Sequence, residues 1–427
     1  MSFERWRGNL YLLKNKYMTP ENIFYILIGI IILDFIIELW LDYLNAKHYN
    51  DPIPTELHDV YTDEEYKKSQ AYKKENNSFS TWSSLFSLVI ILSFFLFKGF
   101  ALVDNYVRQF TNNEIGVTLL FFGIIMIGND ILSTPFSYYH TFVIEEKFGF
   151  NKSTKKLFWI DKIKGWLLTI IIGGLILTLI SWFYQQTGSI FWIYTWVFMA
   201  VFSIFLTLFY SSLIVPLFNK QTPLEDSELK NAIQEFATKV GFELDNIFVI
   251  DGSKRSTKAN AYFSGFGVKK RIVLYDTLIN DLETEEIVAV LAHEIGHYKK
   301  KHVFINMLLS IVLTGFTLYV LSLMIGSNLL SEALSVNKPS FHIGLIAFGI
   351  LYSPISSITG LLMNYLSRKF EYEADNFAKE NHSATALILS LKKMSKNSLS
   401  NLTPHKYYVN YHYSHPTLLQ RILTLKS

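Results

Sequence analysis

The stretch Leu291-Ala292-His293-Glu294-Ile295-Gly296-His297-Tyr298 decides how this chain is read. Residues Glu285 to Leu291 before it are tolerated or favoured in helices, with acids at the positive N-terminal end. Lys299, Lys300 and Lys301 follow, where a C-terminal turn prefers cations. At 3.6 residues per turn, His293 and His297 share one face and can grip a zinc ion together. Glu294 stands one step round from His293, placed to take a proton from water at the metal without being a ligand itself. Such a helix needs a third ligand from elsewhere. Glu371, in Glu371-Tyr372-Glu373-Ala374-Asp375, is the candidate, with Asp375 four residues on to orient a ligand histidine.

Working outward, the 427 residues are 50% hydrophobic and only 18% charged, against about 25% charged in soluble proteins. The chain therefore reads as mostly α-helical and embedded in a lipid bilayer. A formal net charge of +3 gives no electrostatic support for a nucleic-acid partner, and zero cysteine rules out disulfides and thiolate-held zinc. Seven apolar stretches come near the twenty or so residues a bilayer needs: Ile23 to about Leu44, 82–103, 115–134, 165–184, 189–214, 303–326 and 341–366. The first is too long for a signal-peptide core and no small-residue cleavage site follows, so Arg5, Arg7, Lys14 and Lys16 form a basic lead-in. Asp34 and Glu38 within it are costly in lipid and are expected to face protein or water, while Lys98 and Asp130 lie in or near later spans.

The spans divide the chain into 1–214, with five helices and polar loops, a soluble segment at 215–302, two further helices at 303–366, and a C-terminal segment at 367–427. Pro223 precedes an amphipathic helix that places Leu229, Ile233, Phe236, Ala237 and Val240 on one face and stops near Gly241. Ile247–Ile250, Ala261–Ser264 and Arg271–Tyr275 read as short strands, so the segment is a small α+β metalloprotease unit. His297 lies shortly before the sixth span and Glu371 shortly after the seventh. An antiparallel pair of spans returns Glu371 to the face that His293 and His297 left. Loops 46–81 and 135–164 are rich in lysine, whereas the loops on the other side hold only Arg108 and Lys338. The basic N-terminal tail dissents, but the positive-inside rule puts the catalytic segment and the C-terminus in the cytoplasm.

The chain resembles the type I CAAX prenyl protease family, integral-membrane zinc endopeptidases of the gluzincin kind. Beside the two zinc motifs, the resemblance is carried by Lys68-Ser69-Gln70-Ala71-Tyr72, by Phe142 to Thr154, by Pro216-Leu217-Phe218-Asn219-Lys220, by Asn260-Ala261-Tyr262-Phe263, and by Ser414-His415-Pro416 with Arg421. It implies seven helices forming a chambered barrel, with the zinc site of His293, His297 and Glu371 at its cytoplasmic end and one Zn2+ per chain. It implies a peptide or protein substrate, prenylated near its C-terminus, lying as an added strand beside Asn260–Phe263. Asn260 and His415 would stand near the reacting carbonyl, and Arg421 would join Asp375 behind the ligands. The membrane would be the bacterial cytoplasmic membrane or the endoplasmic reticulum. Two other readings are a membrane quality-control zinc protease that cuts unprenylated chains and a transporter or scaffold with structural zinc. Glu294 speaks against the last, because a structural site needs no base and prefers four protein ligands.

Overall fold

Backbone amides buried in lipid must be satisfied within their own segment, and the computed structural model does this with long helices. It describes residues 18–244, 247–264 and 271–427. Arg5, Arg7, Lys14 and Lys16 lie outside the described residues. Among the described residues, six helical stretches are long and apolar enough to cross a membrane: Pro20–Ala46, Asp63–Leu96, Glu114–Phe148, Lys155–Leu217, His302–Met324 and Phe341–Asn381.

Thr19 caps α1 (Pro20–Ala46), and a capping box of Thr62 and Glu65 opens α2 (Asp63–Leu96). Much of the polar 46–80 segment is therefore helix, because the cap sets the start of α2 well ahead of its apolar part. The short α3 (Gly99–Val107) leads into α4 (Glu114–Tyr139). The 63-residue stretch Lys155–Leu217 holds two of the apolar spans read from the sequence. Within it α5 (Lys155–Leu168) runs through a π-helical turn into α6 (Gly174–Thr187). The chain reverses at Gly188, whose φ of 56° suits glycine, and α7 (Phe191–Leu213) packs back along α6. Two acids in the spans are engaged by protein: Ser353 donates to Asp34 at 2.7 Å, and Lys162 Nζ lies 2.8 Å from Asp130.

The soluble unit follows its sequence pattern closely. β1 (Gln221–Pro223) precedes α8 (Glu228–Lys239), which buries Leu229, Ile233, Phe236 and Ala237. β2 (Ile247–Ile250), β3 (Ala261–Ser264) and β4 (Arg271–Tyr275) complete a sheet in the order β1-β2-β4-β3. β2 and β4 are parallel, and the two outer pairings are antiparallel. β3 is thus an edge strand. β1 escapes a reading by alternation because it is three residues long and ends on proline.

A short α9 (Asp276–Asp281) leads into α10 (Thr284–Lys299), which carries both histidines. α11 (His302–Met324) and the short α12 (Asn328–Ala333) follow. α13 (Phe341–Asn381) has 41 residues, so at about 1.5 Å per residue it is a rod of roughly 60 Å. Its apolar part is long enough to cross a bilayer, and its polar end carries Glu371 and Asp375. α14 (Ala384–Asn397), α15 (Lys406–His412) and α16 (Leu418–Lys426) close the chain.

The largest core is built around α10. Ile287, Val288, Leu291 and Ile295 pack with Ile233 and Phe236 of α8, Ile272 and Leu274 of β4, Ala378 of α13 and Leu387 of α14. A helix apolar on every side is buried on every side, and here that fixes where its two histidines stand. α10 and α13 cross at Gly296, where an added Cβ would lie 3.1 Å from Ala374 Cα and 3.1 Å from Phe377 Cβ. Gly296→Val is expected to lower stability by about 1–3 kcal/mol through overpacking, read as a lower unfolding temperature in detergent. An unchanged unfolding temperature would show that the crossing has slack.

Candidate active site

The close crossing of α10 and α13 brings three candidate ligand side chains together, two imidazoles and one carboxylate. His293 and Glu371 are buried and His297 is partly exposed. His293 Nε2 lies 3.2 Å from His297 Nε2, His293 Nε2 lies 3.3 Å from Glu371 Oε2, and His297 Nε2 lies 3.2 Å from Glu371 Oε1. Zinc bonds of about 2.0–2.2 Å arranged tetrahedrally require ligand atoms roughly 3.3–3.5 Å apart. The side chains stand close to that spacing. Glu371 Oε2 is also buried without a hydrogen-bond partner, an acceptor that a cation would satisfy. The donor set fits a zinc ion.

Behind the cluster, Asp375 is fully buried and its Oδ1 lies 2.8 Å from His293 Nδ1. With Nε2 facing the cluster, a proton on Nδ1 would lie towards Asp375, and Arg421 Nη2 stands 3.3 Å from the same Nδ1. Arg421, from α16, donates through Nε to Asp375 Oδ2 at 2.8 Å and through Nη2 to Oδ1 at 2.6 Å. Its Nη1 lies 3.8 Å from Glu371 Oε2. Burial alone would depress the His293 imidazole, but the nearby Asp375 and Glu371 carboxylates outweigh that and push it up to about 9. The carboxylates thus make this a point that favours positive charge, as a dication needs. Glu294 is partly exposed, and desolvation by its surroundings raises its carboxyl group, while His293 and His297 pull it down.

His415 has an exposed side chain whose Nε2 lies 3.4 Å from Glu371 Oε1, so the structure brings it to the cluster from the C-terminal segment. Its Nδ1 is 2.9 Å from the Ser414 hydroxyl. Asn260 lies just before the start of β3. Its Oδ1 accepts from Ala261 N at 2.9 Å, its backbone carbonyl accepts from Tyr275 N at 3.1 Å, and it lines a cavity of about 660 Å³ with Tyr210, Asn219, Tyr262 and Tyr275. β3, which Asn260 precedes, packs against α10. Among the described residues, the hydrogen bonds of Asn260 run to Ala261 and Tyr275, and none joins it to the histidines.

Two residues at the site carry no signal in the motif reading. His302 Nδ1 lies 3.0 Å from His297 Nδ1, and His302 Nε2 lies 3.0 Å from Glu373 Oε2. The spacing of His302 from His297 does not place it on the ligand face of a continuous helix, so helical periodicity passes over it.

A bundle of apolar helices carrying a largely buried His-His-Glu cluster fits an integral-membrane metallopeptidase. The comparisons agree in both halves. A family model described as CAAX prenyl protease N-terminal, five membrane helices, matches residues 42–220, and one described as peptidase family M48 matches residues 223–427. The CAAX prenyl protease 1 homolog of Dictyostelium discoideum is 38% identical, covering 94% of this chain and 96% of its own. CAAX prenyl protease 1 of Saccharomyces cerevisiae is 36% identical over 94% of each chain. The crystal structure of S. mikatae Ste24p superposes with a TM-score of 0.90 at 35% identity, covering 95% of this chain and 99% of that one. The chain belongs to the CAAX prenyl protease family within peptidase family M48.

Arg421→Met should leave the Asp375 carboxylate buried with His293 as its remaining ion-pair partner among the described residues. Breaking one side of such a pair costs about 3–5 kcal/mol, so chemical unfolding in detergent should show a loss of that size. A loss below about 1 kcal/mol would mean that His293 alone satisfies Asp375.

Proposed function

We propose that this protein is a zinc endopeptidase that cleaves peptide bonds near the C-terminus of prenylated CAAX proteins. The observation that carries the reading is the reach of the family likeness: it takes in the membrane helices as well as the peptidase unit. A membrane quality-control peptidase would need fewer spans than this five-helix N-terminal half supplies. We further propose that the chain crosses the membrane seven times, taking α6 and α7 as separate passes, around a chamber whose cytoplasmic end holds the site. The lysine-rich segments 46–81 and 135–164 support that orientation.

In this reading His293, His297 and Glu371 hold the metal, and Asp375 and Arg421 hold His293 in its ligand tautomer. Zinc, when bound, polarises the scissile carbonyl and lowers the pKa of water at the site. Glu294 takes the proton from the attacking water and later gives it to the leaving amine. Its raised carboxyl group suits a residue that must both accept and return a proton. His415 donates a hydrogen bond through Nε2 to the oxyanion, with its ring set by Ser414 at Nδ1. Asn260 supports the same carbonyl from the start of β3, and the open edge of β3 accepts the substrate as an added strand.

The test uses purified protein and matched CAAX peptides, farnesylated and unmodified, with zinc measured on the same sample. The farnesylated peptide should be cut faster. Glu294→Gln should keep its zinc and lose about 10²–10⁴ in turnover. Equal rates on both peptides would favour the quality-control reading, and full activity in Glu294→Gln would remove the proposed base.

A further inference from the structure

Asp375 holds one ligand histidine, and the structure offers a second arm for the other. We propose that His302 and Glu373 position His297: His302 accepts the Nδ1 proton of His297 and donates its own Nε2 proton to Glu373. The proposal rests on His297 serving as a zinc ligand through Nε2.

Proton bookkeeping fixes the direction of the arm. Nε2 of His297 faces the ligand cluster, so in the neutral ligand form its single proton sits on Nδ1. The two Nδ1 atoms of His297 and His302 lie 3.0 Å apart and share one proton, which leaves His302 Nδ1 as the acceptor. The remaining proton of a neutral His302 is then on Nε2, 3.0 Å from Glu373 Oε2. Each link determines the next, and the far end is anchored on a carboxylate. Lys369 Nζ, 4.0 Å from Glu373 Oε1, adds a positive charge on the outer side of that carboxylate.

The backbone is built to make this contact. On a continuous helix, residues five apart point roughly 140° away from each other. α10 ends at Lys299, and Lys301 takes a left-handed conformation with φ 62° and ψ 23°, which breaks the helix and restarts it at His302. Left-handed backbone at a residue other than glycine is uncommon and concentrates where the surroundings require it. The restart turns His302 back towards His297, and its ring lies flat on Phe370, 4.1 Å away at 9° between planes. The side chain is 2% exposed, so solvent does not compete for either nitrogen.

The rival explanation is that His302 is a packing residue which stacks on Phe370. The two accounts rank substitutions in opposite orders. His302→Phe keeps a stacked ring and loses the acceptor, whereas His302→Asn sets an amide oxygen near the place of Nδ1 and loses the ring. The experiment measures zinc dissociation constants of the full chain in detergent by chelator competition, beside the unfolding temperature of the chelator-treated protein.

Outer partners of ligand histidines are typically worth 10–100-fold in metal affinity. His302→Phe should raise the zinc dissociation constant by about that factor with little change in unfolding temperature, and His302→Asn should recover much of the loss. Glu373→Leu, which acts from the half-exposed end of the arm, should weaken zinc by about threefold to tenfold. This variant decides the matter if neither change at His302 folds. A His302→Phe protein that binds zinc within about threefold of wild type, an Asn variant weaker than the Phe variant, or an unaffected Glu373→Leu would overturn the proposal. A wild-type chain that binds no zinc would overturn the ligand assignment, and this arm with it.

Discussion

The site depends on one close contact between two helices. α10 and α13 meet at Gly296, where Ala374 and Phe377 occupy the space that a side chain would need. That approach lets two imidazoles from one helix and a carboxylate from the other converge to separations of 3.2 to 3.3 Å. The apolar sides of α10 hold it in the largest core, between the sheet and α8 on one side and α13 and α14 on the other. Rigid secondary structure on both partners gives the precision that a metal site requires.

Bringing these groups together takes charge out of water, and the surrounding residues offset that cost in pairs. Asp375 is met by His293 and Arg421, and Glu371 by His293, His297 and the edge of Arg421. Glu286, at the start of α10, is buried against Lys393 at 2.7 Å. The opposite end of the helical bundle follows the same rule, with Asp104 held between Arg108 and His342 at 3.0 and 2.8 Å. Buried ions are tolerated where each has a partner, and their removal one at a time is what destabilises.

Features that depend on local pattern were legible in the sequence. His293 and His297 share a face because of helical periodicity, and the strands at 247–250, 261–264 and 271–275 have the bounds that their apolar runs suggest. Glu371 was reachable by combining a motif with span geometry, since an antiparallel helix pair returns to the side it left. His415 and Arg421 could be reached only through family likeness, because nothing in their spacing says that α16 folds back over the site. His302 and Glu373 were hidden for a different reason: their pairing needs the left-handed turn at Lys301, and a lysine does not announce that conformation. The start of α2 was obscured because hydropathy reports the membrane-crossing part of a helix and not its polar extension.

X-ray absorption at the zinc edge of the purified, zinc-loaded chain tests the central assignment most directly. The account predicts two imidazole nitrogens at about 2.0–2.1 Å and carboxylate or water oxygens at about 2.0–2.2 Å, with the imidazole count falling to one in any zinc retained by His297→Ala. A spectrum that requires three or more imidazoles, or an imidazole count unchanged by that substitution, would contradict it.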